Sequence, residues 1–193
     1  MAGADRISEL HDSILTRILS YLTTKEAVRT GILSKRWRNL WASVPVLDIH
    51  FAPCENGECP EKFVKFIDIV LTSRQVQLLD RFRLVHKKKS LFAYYNLPLK
   101  RWIYHVAQQC PRVLSIFLQR LFYCKEIPDL IFTCLSLEEI EFQVPNYEWH
   151  RTLNPTLVTL PHLRKLNLGH VRMKVDFMDK LLLGCPSLEE LEL

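Results

Sequence analysis

The sequence predicts a mixed α and β chain. A bundle of three short helices stands at the front, and an open α-β solenoid with short parallel strands follows it. Three observations carry this reading. Residues 12–22, DSILTRILSYL, place apolar side chains at helical spacing. Four later segments share one pattern and start 24, 26 and 25 residues apart, at positions 110, 134, 160 and 185. The stretches between the strand-like segments have helical periodicity, and strands that alternate with helices lie parallel in one sheet.

The first helix carries Ile14, Leu15, Ile18, Leu19 and Leu22 as one broad apolar stripe. Asp12 stands where an N-cap acceptor is expected. Thr23 and Glu26 have the spacing of a capping box, so a second short helix begins there. Gly31 is expected to end it or to let the chain turn. Ser34 is expected to cap a third helix, with Trp37, Leu40 and Trp41 on one face and Lys35, Arg38 and Asn39 directed elsewhere. The tryptophans of LSKRWRNLW thus read as core anchors. Three short helices bury little by themselves and lean on a partner or a following domain. The first stripe is wider than two short neighbours need, which points to a protein-binding surface.

The stretch DRISELHDSILTRILSYLTTKEAVRTGILSKRWRNLWASVPVLDIHF, and above all TKEAVRTGILSKRWRNLW, resembles the F-box of plant F-box/leucine-rich-repeat proteins. The resemblance sets the F-box at 5–51 and the repeat region at 52–193. It implies docking on a Skp-type adaptor and, through it, on the cullin of an SCF ubiquitin ligase. The adaptor-facing positions it implies are Leu10, His11, Ile14, Leu15, Ile18 and Leu22. Val28, Leu33, Trp37 and Trp41 match positions that hold the three helices together. Three residues depart from the family pattern. His11 and Thr23 stand where proline is common, and Gly31 replaces a frequent serine. Proline pre-sets the backbone at a helix entry. His11 is therefore expected to loosen the start of the first helix, to weaken docking and to add a titratable group there.

Behind this module, CPRVLSIFL, CLSLEEIEF, LPHLRKLNL and CPSLEELEL follow the pattern Cys or Leu, usually Pro, then apolar residues at alternating positions. Their period lies in the range of roughly 20–29 residues of leucine-rich repeats. LDRFRL, residues 79–84, reads as an earlier irregular unit. The inward residues are Ile116 and Leu118, Ile140 and Phe142, Leu166 and Leu168, and Leu191 and Leu193. One unit cannot bury its own apolar face, but stacked units can. Cys110, Cys134 and Cys185 hold equivalent repeat positions and are expected to be small buried hydrophobes. PEKFVKFIDIVLTS, LKRWIYHVAQQ and FMDKLLLGC, the last ended by Gly184, are the connecting helices. IPDLIFTCLSLEEI and LLLGCPSLEELEL best carry the likeness to the family's repeats. Relatives of that kind continue with further repeats, often followed by another C-terminal domain. The chain stops at Leu193 after a strand without a polar capping repeat, so the repeat region is expected to be incomplete there.

Strand residues between the buried ones point to the other face: Arg81 and Arg83, Ser115 and Phe117, Glu139 and Glu141, Lys165 and Asn167, Glu190 and Glu192. Glu139 is expected opposite Lys165. Phe117 is a large aromatic on this otherwise polar face, a residue type that anchors partners. Phe117, Glu139, Glu141, Lys165 and Asn167 are the candidate substrate contacts.

With 193 residues, 48% hydrophobic and 24% charged, the composition is that of a globular chain. The net charge of +5 permits acidic partners without requiring them. No signal-peptide pattern and no run of membrane-span length appear, so nucleus or cytoplasm is the expected location, with reduced thiols. His50, Cys54 and Cys59 offer three metal ligands without a fourth, and NG between the cysteines signals a turn. There is no phosphate loop, H-E-x-x-H or G-x-S-x-G motif, and the seven histidines are scattered. The expectation is a non-catalytic substrate receptor with no cofactor, metal, nucleic acid or membrane partner. Two alternatives stand beside it. One is a nucleic-acid-binding helical module resting on SKRWRNLW and on HKKKS, residues 86–90. The other is a truncated F-box protein without a working substrate surface.

Overall fold

The computed structural model describes residues 6–7, 9–51, 60–74, 78–86, 98–118, 128–143, 152–169 and 172–193. Helix α1 spans Asp12–Leu19, α2 Thr24–Arg29 and α3 Trp37–Leu40, with 3-10 turns at Thr30–Ile32 and Trp41–Ser43. Strand β1, Val46–Phe51, follows at once, then helix α4, Pro60–Thr72, and strand β2, Arg81–His86. Helix α5 is Leu99–Ala107 and strand β3 is Val113–Phe117. After a 3-10 helix at Asp129–Thr133 come strands β4, Glu139–Gln143, β5, Thr152–Leu153, β6, Lys165–Gly169, and β7, Arg172–Met173. Helix α6, Asp176–Gly184, and strand β8, Glu190–Glu192, complete the described elements.

Strands β1, β2, β3, β4, β6 and β8 form one open sheet in that order, every pair parallel. The short pair β5 and β7 lies apart from it. An open parallel sheet with helices on its buried side is the architecture of a leucine-rich-repeat solenoid. Each repeat is stitched to the one before. The amides of Leu137, Leu163 and Leu188 close turns onto the carbonyls of Cys134, Leu160 and Cys185. Ser136 Oγ donates to the Pro111 carbonyl and Ser187 Oγ to that of Pro161, each at 2.8 Å. The amides of Glu138, Arg164 and Glu189 donate to the carbonyls of Arg112, Glu138 and Arg164. The repeat period is thus a hydrogen-bond period as well as an apolar one.

Two buried clusters fill the chain. Leu15, Leu19, Ala27, Trp37, Leu40 and Val44 form the core of the three helices. A larger cluster runs from Leu47 to Cys185 under the sheet. Half-buried Trp41 packs against both. The helices α4 and α5 bury Phe63, Ile67, Val70 and Leu71 on one and Leu99, Trp102, Ile103 and Val106 on the other, as their periodicity predicts, while Phe66, of the same predicted stripe on α4, is only half-buried. Trp102 meets Phe63 edge-on at 6.3 Å and donates its indole N–H to Asp68 at 2.9 Å, which satisfies its polar atom in the interior.

Several expectations are corrected. The N-cap of α1 is His11, whose side chain accepts from the Ser13 amide at 3.4 Å; Asp12 instead receives Arg36 Nε at 2.7 Å. The helix closes at Leu19, so Leu22 lies in the turn beyond. The Thr23–Glu26 capping box is present in both directions. Ser34 caps nothing: α3 begins at Trp37 behind Arg36, with no side-chain cap bond. At Gly31 an added Cβ would stand 3.2 Å from the Arg38 Cα, so this glycine serves the close approach of the second and third helices. Cys134 and Cys185 are buried, and burial pushes the Cys185 thiol up to about 11, but Cys110 is exposed at a left-handed φ of 48°. Leu191 and Leu193 are 39% and 53% exposed, because β8 has β6 on one side and no described strand on the other.

Candidate functional surfaces

The apolar stripe of α1 divides between two environments. Leu15 and Leu19 are 0% and 1% exposed and belong to the core of the helical module. Ile14 and Ile18 are 47% and 45% exposed, and Tyr21 just beyond the helix is 81% exposed. Residues four apart share a helix face, so Ile14 and Ile18 stand one turn apart on the outer side. Of the other residues expected to meet an adaptor, His11 is exposed at the helix entry, while Leu10 and Leu22 are half-buried against the module's core. Leu15 is wholly interior and can meet a partner only through its neighbours. Arg36 fixes the entry of the helix by donating to Asp12 and to the Leu10 carbonyl. The Thr23 hydroxyl, followed by the Thr23 amide, holds the Glu26 carboxyl below its usual range. The start of α2 is thereby locked.

The nucleic-acid alternative rested in part on SKRWRNLW, where the sequence reading expected the apolar residues to pack. Trp37 and Leu40 are 6% and 7% exposed. They are committed to packing, while Ser34, Lys35, Arg36, Arg38 and Asn39 are exposed, and so is Leu33, at 64%, which was expected to help hold the helices together. HKKKS lies outside the described residues apart from the backbone of His86, and so do Cys54 and Cys59. His50 Nε2 is 2.9 Å from Asp48 Oδ1. No group of three metal-binding side chains occurs among the described residues. No described helix is long and apolar enough to cross a membrane.

The polar face of the sheet is organised in rows that cross the strands. One row runs Val46, Arg81, Val113, Glu139, Lys165, Glu190. The next runs Asp48, Arg83, Ser115, Glu141, Asn167, Glu192. A third runs His50, Val85, Phe117, Gln143, Gly169. Glu139 does stand opposite Lys165, as the alternation predicts. The Lys165 ammonium nevertheless turns the other way and meets Glu190 at 2.6 Å, and that bond raises its affinity for the proton. Asn167 donates to Glu192. Ser115 and Asn167 are both 7% exposed, shielded by their longer neighbours. Phe117 is half-buried under the Arg83 guanidinium, 5.6 Å from the ring centroid, a cation–π contact. Arg83 also lies 3.7 Å from Asp48.

The strip is therefore polarised. Arg81 and Arg83 dominate the end near the helical module, while Glu139, Glu141, Glu190 and Glu192 outnumber Lys165 at the other. The strip gathers the five candidate substrate residues, and it adds Asp48 and His50, which the sequence reading missed. Their signal was the alternation in VLDIHF, where Leu47, Ile49 and Phe51 face inward at 1%, 2% and 1% exposure. That stretch was read as the tail of the helical module, but it is the first strand of the sheet, paired with β2.

Comparison with known proteins follows the same division. A family model for the F-box domain matches residues 7–48. A second, for the leucine-rich repeats of FBD-associated F-box protein At5g56370, matches residues 99–193. FBD-associated F-box protein At5g27750 of Arabidopsis thaliana is 32% identical over 100% of this chain and 42% of its own length. The F-box/FBD/LRR-repeat proteins At2g26030 and At1g51370 of the same plant are each 31% identical, over 97% of this chain and 41% and 40% of their own lengths. The chain thus spans about two-fifths of the curated relatives it matches.

Proposed function

The chain belongs to the F-box/leucine-rich-repeat proteins, and from that premise we propose that it is a substrate-receptor subunit of an SCF-type ubiquitin ligase. In this reading the F-box docks on a Skp-type adaptor, and through it on a cullin. The strand face of the repeats takes the target protein. The receptor itself is non-catalytic and works in the nucleus or cytoplasm. The observation that carries the reading is the outward half of the α1 stripe. Ile14 and Ile18 are half exposed on a helix whose other apolar residues are already buried. Apolar side chains presented this way gain free energy only when a partner covers them.

The polarised strip supports a target whose own surface is charged in the reverse order. The division at residues 51 and 52 is retained as a division of roles, although β1 is shared: its strand belongs to the sheet and its chain runs directly from the F-box.

The test is capture by a purified Skp-type adaptor. Replacing both Ile14 and Ile18 by Asp should abolish capture while leaving the melting temperature nearly unchanged, because both side chains are already half in water. Undiminished capture by a folded double variant would put the docking face elsewhere. Phe117→Ala and Glu141→Lys should spare adaptor capture and change the set of proteins retained by the repeats. Identical sets would remove the strip from the reading.

A further inference from the structure

Strand β3 lies between two walls of opposite charge. In register, Val113 stands between Arg81 of β2 and Glu139 of β4, and Ser115 between Arg83 and Glu141. Neighbouring strands are about 4.8 Å apart, so the arginine row and the glutamate row are about 10 Å apart. The two walls do not close on each other. No hydrogen bond or ion pair joins Arg81, Glu139 or Glu141 to another described residue. The charges beside them have partners of their own. Glu139 attracts Lys165 and Arg112, but these are bonded to Glu190 at 2.6 Å and to Glu138 at 2.8 Å. Asp80 attracts Arg112 as well. Asp48 lies 3.7 Å from Arg83, which also covers Phe117, and Val46 on the far side of Arg81 carries no charge. Arg81 on one side of β3, and Glu139 and Glu141 on the other, are left as uncommitted charges. The bed between them is low. Val113 is half-buried, Ser115 is 7% exposed, and the Ser115 hydroxyl makes no hydrogen bond to a described residue.

Resting on the receptor reading, we propose that β3 is the bed for an extended segment of the target protein in which acidic and basic residues alternate. Successive side chains of an extended chain point to opposite sides, and every second one recurs after about 6.6 Å. Arg81 and Arg83, like Glu139 and Glu141, are themselves two residues apart on a strand and recur at the same spacing. Acidic side chains at alternate positions of the segment meet Arg81 and then Arg83, and the basic ones between them meet Glu139 and Glu141. Arg81 is the stronger anchor of its wall, because Arg83 is shared with Asp48 and Phe117. The Ser115 hydroxyl is open to a backbone group of the segment. A wholly acidic segment sets like charges against Glu139 and Glu141, and a wholly basic one against Arg81 and Arg83, so the walls reject both. A helix does not match them either, since its residues two apart do not share a face. The third row, from His50 to Gly169, takes no part.

The experiment uses the full chain and, as probe, a capped hexapeptide of alternating glutamate and lysine. The comparison is its block isomer, in which the glutamates all precede the lysines. The two peptides share composition and net charge, so only the order of residues separates them. Binding is read by calorimetry and by amide chemical shifts at low salt, where charge contacts are least screened. The proposal expects saturable binding of the alternating peptide, with shifts centred on β2, β3 and β4, and about tenfold weaker binding of the block isomer. Glu139→Lys and Arg81→Glu should each weaken the alternating peptide by at least about tenfold. Both residues are exposed, so the melting temperature should hold. Lys100→Glu, on α5 behind the sheet, should change nothing. Equal binding of the two isomers would overturn the proposal, as would binding unchanged in both folded wall variants. So would shifts centred elsewhere, or no saturation at all. Adaptor capture and the comparison of retained proteins do not use the peptide, so the receptor reading and this inference fail separately.

Discussion

The F-box and the repeats solve the burial problem in opposite ways. The F-box core has six buried side chains, and α1 spends half of its apolar stripe on the outside. The repeat core has many times that number, and nearly every inward strand residue from Leu47 to Leu168 is at most 3% exposed. The physical difference lies in neighbours. An interior strand of the sheet has a paired strand on each side and helices behind it, so alternation alone decides what is buried. A helix of eight residues packed against two shorter ones has more apolar perimeter than they can cover. The small module therefore keeps a surface for a partner and leans on the large one through Trp41.

Five perturbations break or sharpen this contrast, the largest effect first. Trp102→Ala opens the interior of the repeat core beneath Phe63 and removes the indole donor from Asp68, which keeps its pair with Arg101. It should cost about 3–5 kcal/mol in urea unfolding, with the whole sheet affected. Leu15→Ala in the small core should cost about 2–5 kcal/mol, whereas Ile14→Ala, its neighbour on the outer side, should cost less than about 1 kcal/mol. Equal costs for the two would mean that the α1 stripe is not divided as described.

Gly184→Ala comes next. An added Cβ would stand 2.2 Å from the Val158 carbonyl oxygen, a backbone atom that cannot swing away. Overpacking of this kind costs about 1–3 kcal/mol, and it should fall on the repeats alone. Thermal unfolding followed through amide NMR signals of F-box residues and through far-UV signal should separate for this variant if the two cores are only loosely coupled. They should stay coincident if Trp41 binds them into one unit.

Thr23→Ala removes the N-cap acceptor of α2 and should cost about 1 kcal/mol. It also changes the pH dependence. Thr23 holds the Glu26 carboxyl below its ordinary value of 4.5, so the folded state binds that proton less readily than the unfolded chain. Stability from this group is present above the ordinary value and is lost as the pH falls through the depressed one. Arg112 acts on Glu138 in the same direction, through a bond of 2.8 Å in the repeats. Acid melting curves of Thr23→Ala should flatten for the F-box while the Glu138 contribution persists. A curve unchanged in shape would remove the capping box as its cause.

The smallest effect is expected at the helix entry. His11 has φ −66°, the value a proline ring imposes, so His11→Pro fits the backbone and restricts the unfolded chain. The weak cap bond to Ser13 is lost at the same time. The net change should be under about 1 kcal/mol, with tighter adaptor capture as the expected sign. Weaker capture would show that His11 makes a contact of its own.

Sequence by itself determined whatever depends on local spacing. The two-residue alternation fixed the inward residues of β3, β4 and β6, and the repeat period fixed their register, down to Glu139 beside Lys165. The Thr–x–x–Glu spacing fixed the start of α2, and helical periodicity fixed the buried faces of α4 and α5. Tertiary structure decided whatever depends on which neighbour arrives. It sent Leu15 inward and left Ile14 outside, since periodicity defines a stripe but not how much of it is covered. It turned Lys165 toward Glu190, because two carboxylates flank one ammonium and side-chain reach, not register, chooses between them. It exposed Cys110, whose φ of 48° lifts it out of the row that Cys134 and Cys185 keep. It made VLDIHF the first strand of the sheet, because a strand is defined by its pairing partner, and Arg81–His86 lies some thirty residues further along the chain.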